Sequence, residues 1–446
     1  MTSCHCQGLN SSRNVPLEKE EGVCRLPKEL IDEMIDVMES NAGLLSCALV
    51  CRAWLPRCRE RLFYNIQINK NTQDLANFPP KLVHLIRHLT LSFYSQEWSS
   101  YSKLLNSLSK FIPHLRCLTG ITLKRFQHTF IYHRNIRVLS DAMQALEFFF
   151  QALDKPFEEA EQLPSNIERL VLECAGFQHI RSFHEFIGRR RFHHLKELVI
   201  VDSIILEERS SLEDGLPPRT GYEKLEGAAS VPVTSDRPCL EILTARDSDE
   251  YLDALYDERC PLDMRRLRRL QLLDSQLETV EAMIGHSLTH LRIGTTQFDR
   301  LEPGCLPNVT HYCITLADSW GSAALQTPAD LLSVGLCGLG LAAPNLKYLI
   351  LEISNRFRNQ SFQTIDPILA KTPLPDDARI FIRLPLLVEH HRLTETKDFF
   401  RNLLPITSES RGFQVYGYTE YVVPCHFTLD LEMYLRDAQH WNDGST

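Results

Sequence analysis

The chain has 446 residues, 43% of them apolar and 24% charged, with a formal net charge of −9. It is long and apolar enough for a large buried core and more than one structural unit. The acidic balance argues against bulk affinity for nucleic acid, because neutralising phosphates needs a net basic footprint. The longest weakly polar stretch, LLSVGLCGLGLAA at 331–343, falls short of the roughly 20 residues of a membrane span.

Residues 1–22 are polar, carry the charge run EKEE and lack the apolar core of a signal peptide. They read as a disordered leader on a cytoplasmic or nuclear chain. In that reducing setting the fourteen cysteines are thiols, and Cys47, Cys51, Cys117, Cys313 and Cys337 lie in apolar patterns as small hydrophobes do. Cys4, His5, Cys6 and Cys24 do not suit zinc, whose paired thiolates need two to four residues between them. No metal and no cofactor is expected.

LPKELIDEMIDVMES then predicts a helix over 27–39. Pro27 suits a first helical turn, Glu29 the positive end of the helix dipole, and Leu30, Ile31, Met34, Ile35 and Met38 recur at helical spacing. SNAG at 40–43 ends it. Next comes CALVCRAWLPRCRERLF, 47–63. On a helix, Leu44, Cys47, Ala48, Val50, Cys51, Trp54, Leu55, Cys58 and Leu62 share one apolar arc, and Arg52, Arg57 and Arg59 face away as solubilising charge. Pro56 breaks the rod, so the prediction is a helix over 44–55 and a second piece to about 64. The thiols of Cys47 and Cys51 sit on the apolar side, which favours packing over metal binding.

Beyond residue 80 a six-position pattern, apolar-x-x-apolar-x-apolar, recurs nine times: IRHLTL at 86, LTGITL at 118, IERLVL at 167, LKELVI at 195, LEILTA at 240, LRRLQL at 267, LTHLRI at 288, VTHYCI at 309 and LKYLIL at 346. Its closing apolar-x-apolar is a short strand burying alternate side chains. Three residues later stands a small residue (Ala175, Ser203, Ser248, Ser275, Thr296, Ala317, Ser354), followed in several copies by an apolar one (Phe177, Ile205, Leu277, Phe298). This resembles the leucine-rich-repeat grammar, with Ser, Thr or Ala where Asn or Cys is usual. A hydroxyl there can bond free backbone groups of the turn; alanine cannot. Successive starts differ by 21 to 49 residues, so some repeats carry longer helices or insertions. Helices are predicted at 140–153 and 182–192, and 207–238, rich in Gly, Pro, Ser and charge, reads as an exposed excursion. From 376 to 446, RIFIRLPLL, a TKDFFRNLL helix and GFQVYGYTEYVV read as a terminal cap.

No nucleophile elbow, Walker loop, H-E-x-x-H or kinase set is present, so the chain is not expected to be an enzyme. The basic runs GRRRFHH at 188–194 and MRRLRRL at 264–270 lie among acidic residues and read as solvated faces or a site for an acidic protein partner.

The segment 25–66, with its L-P-x-E-L opening, then L-V-C-R-x-W and a closing L-F, resembles an F-box. It keeps Leu26, Pro27, Glu29, Leu30, Ile35, Leu49, Val50, Cys51, Arg52, Trp54, Leu62 and Phe63. With degenerate repeats behind it, the whole looks like the large sets of F-box proteins of filamentous and mushroom-forming fungi. The resemblance implies an α+β multi-domain chain: a small trihelical F-box over 23–68 and an irregular α/β leucine-rich-repeat-like solenoid over 80–375. It implies a substrate-recognition subunit of a cullin-RING (SCF-type) ubiquitin ligase, bound through the small adaptor to the cullin and presenting a target protein. The alternative is a non-ligase scaffold. Leu26, Pro27, Leu30, Ile35, Val50 and Trp54 are the expected adaptor contacts, with Cys51 packed beneath them. The strand x positions, among them Arg169, Glu197, Arg268 and Arg292, are the expected target contacts.

Overall fold

The computed structural model describes residues 26–38, 40–68, 79–92, 115, 117–125, 149, 151, 167–177, 179–205, 237–246, 248–273, 287–294, 303–316, 332–333, 336–353, 359–386, 400–410 and 413–419. The predicted leader, most of the 207–238 excursion and most of the 140–153 helix lie outside these residues. The chain divides into two compact units, Met1–Leu62 and Phe63–Thr446.

The first unit contains α1 (Lys28–Asp36), α2 (Asn41–Val50) and all but the last two residues of α3 (Leu55–Tyr64). Pro27 immediately precedes α1, and its carbonyl accepts from Ile31 N–H at 3.2 Å. A residue without an N–H costs nothing there. The SNAG segment starts a helix as well as ending one: Ser40 Oγ accepts from Gly43 N–H at 3.0 Å, so α2 begins before Leu44. The next break also differs from expectation. Cys51 is extended (φ −158°), residues 52–54 form a turn, and α3 starts at Leu55. Pro56 therefore sits in the first turn of α3, where no helical partner for its nitrogen is required.

Ile31, Ile35, Leu44, Cys47 and Cys58 form a small core, with Met38, Ala48, Trp54 and Leu62 packed against it. Arg57 is more than solubilising charge. Its Nε and a terminal nitrogen grip both carboxylate oxygens of Asp36 at 2.9 and 2.5 Å, and Arg61 donates to the Asp36 carbonyl at 3.1 Å. The two arginines of α3 thus tie down the C-terminal end of α1, where positive charge is also favoured by the helix dipole.

The second unit makes this an α/β protein with a large parallel sheet. Fourteen strands are described: β1 (Asn65–Ile68), β2 (His88–Ser92), β3 (Gly120–Lys124), β4 (Arg169–Glu173), β5 (Gly176–Phe177), β6 (Glu197–Val201), β7 (Ile204–Ile205), β8 (Ile242–Arg246), β9 (Arg269–Leu273), β10 (His290–Gly294), β11 (His311–Leu316), β12 (Tyr348–Ile353), β13 (Arg379–Leu386) and β14 (Gln414–Thr419). Twelve form one sheet in chain order, and β5 and β7 pair separately. Helices α4 (Pro80–Val83), α5 (Ile180–Ile187), α6 (Asp249–Tyr256), α7 (Leu339–Ala342), α8 (Asn359–Lys371) and α9 (Pro405–Ser410) complete the described set. None of the described helices is long and apolar enough to cross a membrane.

Each six-position motif coincides with one strand of the large sheet. All three of its apolar residues are buried in every copy, none exposed beyond 5%, in one continuous cluster. Phe183, Phe186 and Ile187 of α5, Tyr251 and Leu255 of α6, and Ile365 and Leu369 of α8 fill the same cluster. The registration is set by the backbone. The carbonyl of the residue after the first apolar position accepts two successive N–H groups from the next copy: Arg87 from Thr119 and Gly120, Thr119 from Glu168 and Arg169, and so on to Thr310 from Lys347 and Tyr348.

At the far end of three strands, Arg125, Cys174 and Asp202 adopt left-handed φ values of 54°, 53° and 49°. That conformation is unfavourable for a side-chain-bearing residue. It aims each N–H at the end of the following strand: Arg125 to Glu173 O, Cys174 to Val201 O and Asp202 to Arg246 O, at 2.7–2.9 Å. The small residues come next. Ser203 Oγ accepts from Ala175 N–H at 3.0 Å and donates to Val201 O at 2.9 Å, while Ser248 Oγ accepts from Ser203 N–H and donates to Arg246 O. The hydroxyls thus serve the free backbone groups as expected, and Ala175 draws on its neighbour's hydroxyl. Phe177 and Ile205 are buried; Ser275, Leu277, Thr296, Phe298, Ala317 and Ser354 lie outside the described residues.

The sheet is wider than the 80–375 span expected for it. Phe63-Tyr-Asn-Ile66-Gln-Ile68 fits the same six-position pattern, but β1 follows directly on α3 and its residues read as the helix's end. β13 and β14 extend the parallel order into the segment expected to be a cap. In β13 the first motif position falls on Asp377, so the apolar pattern is broken there although Ile380 and Ile382 are buried in register with Leu349 and Leu351.

Candidate interaction surfaces

Two surfaces gather the residues expected to make contacts. On the first unit, α1 and α2 each carry apolar side chains beyond those the core can take. Leu26, Pro27 and Leu30 are exposed, as is Val50. Ile35 is not: it is fully buried among Ile31, Leu44, Cys47 and Cys58, so the expected adaptor contact at this position is corrected to a core residue. Trp54 is half-buried against the same core, and Cys51 is half-buried rather than covered. Sequence reasoning passed over Met34, Val37, Leu45 and Leu49, all exposed, Leu49 by 87%. The signal was available in the i, i+4 series Leu26–Leu30–Met34 and the pair Leu45–Leu49, which lie on different helical faces from Ile31–Ile35 and Leu44–Cys47.

The second surface is the sheet face opposite the large core. Parallel pairing sets its side chains in rows across the strands. One row runs His88, Gly120, Arg169, Glu197, Ile242, Arg269, His290, His311, Tyr348, Arg379; the next runs Thr90, Thr122, Val171, Val199, Thr244, Gln271, Arg292, Cys313, Ile350, Phe381. Every member of the second row is buried, whereas most of the first is half-exposed.

Over β3 to β8 opposite charges neighbour one another: Lys124 with Glu173 at 2.9 Å, Arg169 with Glu197 at 3.3 Å, Arg246 with Asp202 at 3.8 Å. Burial raises the pKa of Glu197 against the pull of Arg169 and Arg269. Of the expected target contacts, Arg169 and Glu197 are therefore brought together. Arg292 is held apart from them in the buried row, where it pairs with Glu352, whose other oxygen lies 3.6 Å from Arg383; Thr315 Oγ donates to Glu352 at 2.9 Å. Arg268 is exposed in the turn before β9, and Arg269 takes the place on the face.

Over β9 to β12 the first row changes character. His290 stacks on His311 with ring centroids 4.1 Å apart, His311 stacks on Tyr348 at 4.6 Å, and Tyr348 tilts against Phe381 at 5.7 Å. Burial, with Arg269 nearby, pushes the pKa of His290 down to about 4; burial, His290, Arg269 and Lys347 take His311 to about 3. Thr289 Oγ and Thr310 Oγ lie 2.8 Å from Nδ1 of His290 and His311, respectively. Beside the stack is a small, shallow depression bordered by Arg269, Gln271, His290, Arg292 and His311. The repeated T-H of LTHLRI and VTHYCI, in identical motif positions, is the sequence signal that would have found this ladder.

One arginine of each basic run is held locally. Arg265 forms a forked pair with Asp263 at 2.7–3.1 Å, and Arg191 is buried. None of the described cysteines is in a disulfide; Cys313 is buried, its pKa pushed up to about 12 by desolvation, whereas Cys337 is exposed. No group of three or more His, Cys, Asp or Glu among the described residues is arranged to hold a metal ion, and Cys4, His5, Cys6 and Cys24 lie outside them. Compared with known proteins, the chain matches no family model and no curated protein.

Proposed function

We propose that the chain is a target-recruiting subunit of a cullin-RING ubiquitin ligase. In this reading the first unit is a trihelical F-box that docks on the small adaptor and, through it, the cullin. The strands of the second unit are successive turns of a leucine-rich-repeat-like solenoid that holds a target protein in the cytoplasm or nucleus. The chain performs no chemistry of its own; it raises the effective concentration of target lysines near a ubiquitin-charged enzyme. The observation that carries the reading is the set of exposed apolar side chains on a unit of three short helices: Leu26, Leu30 and Met34 at and in α1, and Leu45, Leu49 and Val50 in α2. Apolar side chains concentrated in this way mark a surface that a partner covers.

The test is co-purification with the adaptor. Leu30→Glu with Leu49→Glu is expected to abolish adaptor capture while leaving the helical signal intact, because Leu49 is 87% and Leu30 46% exposed and neither belongs to the buried core. Ile35→Ala should instead lower stability by about 2–5 kcal/mol, as loss of a buried Ile does. Adaptor capture undiminished in the double variant would overturn the docking assignment. A target half-life unaffected by loss of the chain would favour a non-ligase scaffold.

A further inference from the structure

We infer that the ladder Arg269–His290–His311–Tyr348 is a recognition site for a short extended peptide rich in carboxylates. The inference deepens the reading of the second unit as the target-binding part and rests on it. Charge is the first ground. From β9 to β12 this row and the one preceding it hold Arg269, His290, His311, Tyr348 and Arg268, Thr289, Thr310, Lys347, with no carboxylate among them. Acids in those rows resume with Glu197 and Glu241 on one side, and Arg379 continues the basic side. The excess is of positive charge on half-exposed and exposed side chains, so an acidic partner is favoured.

The second ground is hydrogen bonding, and it selects a peptide over a simple anion. Thr289 donates its hydroxyl proton to Arg268 O at 3.1 Å, and Thr310 donates to Thr289 O at 3.3 Å. Each hydroxyl oxygen is then left to accept from the Nδ1–H of its histidine, 2.8 Å away. Nε2 of each ring consequently carries a lone pair. His290 Nε2 is buried with no hydrogen-bond partner among the described residues, as is Oε1 of Gln271, a side chain only 7% exposed that borders the same depression. Acceptors left bare in this way call for N–H donors. Sulfate supplies no donor, and phosphate has only the hydroxyl of its protonated oxygens and no N–H. A peptide carrying Asp or Glu supplies both partners, carboxylates for the cations and backbone N–H groups for the acceptors. Strands about 4.8 Å apart make the ladder about 14 Å long, the span of about four residues of extended chain.

The probe is a fluorescent decapeptide of alternating Asp and Gly, titrated into the full-length chain at low salt and followed by anisotropy. Comparison peptides replace Asp by Lys or by phosphoserine alternating with Gly. The acidic peptide is expected to bind, and the Lys peptide not to. Arg269→Gln and Lys347→Gln should each weaken binding five- to tenfold. His290→Phe, which keeps the stack and removes the acceptor, should weaken it about fivefold with the melting curve at pH 7 unchanged. Arg265→Gln, already paired with Asp263 away from the ladder, should leave affinity as it was. Equal binding of the Lys peptide, or unaltered affinity in all three ladder variants, would overturn the assignment. Binding confined to the phosphoserine peptide would overturn the carboxylate specificity. Adaptor capture, scored on the same preparations, separates the two claims. Peptide binding without adaptor capture sinks the ligase reading and spares the site; capture without peptide binding sinks the site alone.

Discussion

His88 lies across the backbone of Gly120. A Cβ on that glycine would stand 2.2 Å from His88 Nδ1, while the other ring nitrogen is 2.7 Å from Thr122 Oγ1. Glycine is required here for close approach rather than for an unusual backbone angle. Gly120→Ala is expected to cost about 1–3 kcal/mol, the usual range for forcing volume into a packed site, and His88→Ala in the same chain should recover much of it. Urea denaturation of the single and double variants measures the coupling; simple additivity of the two effects would disprove the steric account.

The Ser203 hydroxyl serves the buried N–H of Ala175 as well as its own turn. Ser203→Ala would leave that N–H without its acceptor, at a cost of about 1–3 kcal/mol. Ser203→Thr keeps the hydroxyl and should stay closer to the parent. Thermal melting compares them, and equal melting temperatures for the alanine variant and the parent would show that the hydroxyl is dispensable.

Glu352 stands between Arg292 and Arg383, all three side chains at most 3% exposed. Glu352→Gln removes the negative charge and leaves two guanidinium groups facing each other in a dry setting. Breaking a buried ion pair from one side costs about 3–5 kcal/mol, so this variant should be among the least stable single substitutions on the sheet face. A loss below 1 kcal/mol in urea would mean that water reaches the site.

The stacked histidines make stability depend on pH. Both titrate well below the ordinary value of 6.5, to about 4 and about 3. The unfolded chain therefore binds protons that the folded chain refuses, and stability falls as pH drops from 6.5 towards 4. Arg269, Lys347, Arg292 and Tyr348 are the charged or titratable groups around the rings, and Arg269 and Lys347 reinforce the effect. Replacing His290 by Phe should remove on the order of 1 kcal/mol of this acid sensitivity, discounted for the half-exposed rings. Melting temperatures at pH 4.5 and 7 give the difference; an unchanged pH slope would contradict it.

The large sheet was legible because its motif is repetitive: an apolar-x-x-apolar-x-apolar run points three side chains to one side whatever the connection that precedes it. Legibility failed where an element's ends were ambiguous. Ile66 and Ile68 stand beside a helix whose own apolar positions overlap their pattern, and Asp377 interrupts the pattern before β13. Pro56 was read as a breaker because the backbone turn at Cys51–Trp54 leaves no residue-type signature. On the faces, alternation located the row but not its members, so Arg268 stood in for Arg269. The histidine ladder arises from register between distant segments, and single histidines do not reveal which strands will lie side by side. Leu26 and Leu30 were expected at the surface, but Leu45 and Leu49 of α2 were not placed there, because periodicity reports apolar character and leaves open which of two apolar sides is covered.

The paired N–H groups that dock on one carbonyl of the preceding copy index each strand against its predecessor at a fixed point, irrespective of the 21 to 49 residues between starts. Length is thereby uncoupled from alignment. Connections can lengthen, shorten or acquire new sequence without shifting which side chains stand next to one another on the face. A chain built this way can diversify its loops and its recognition rows as separate traits, each changing without forcing a change in the other.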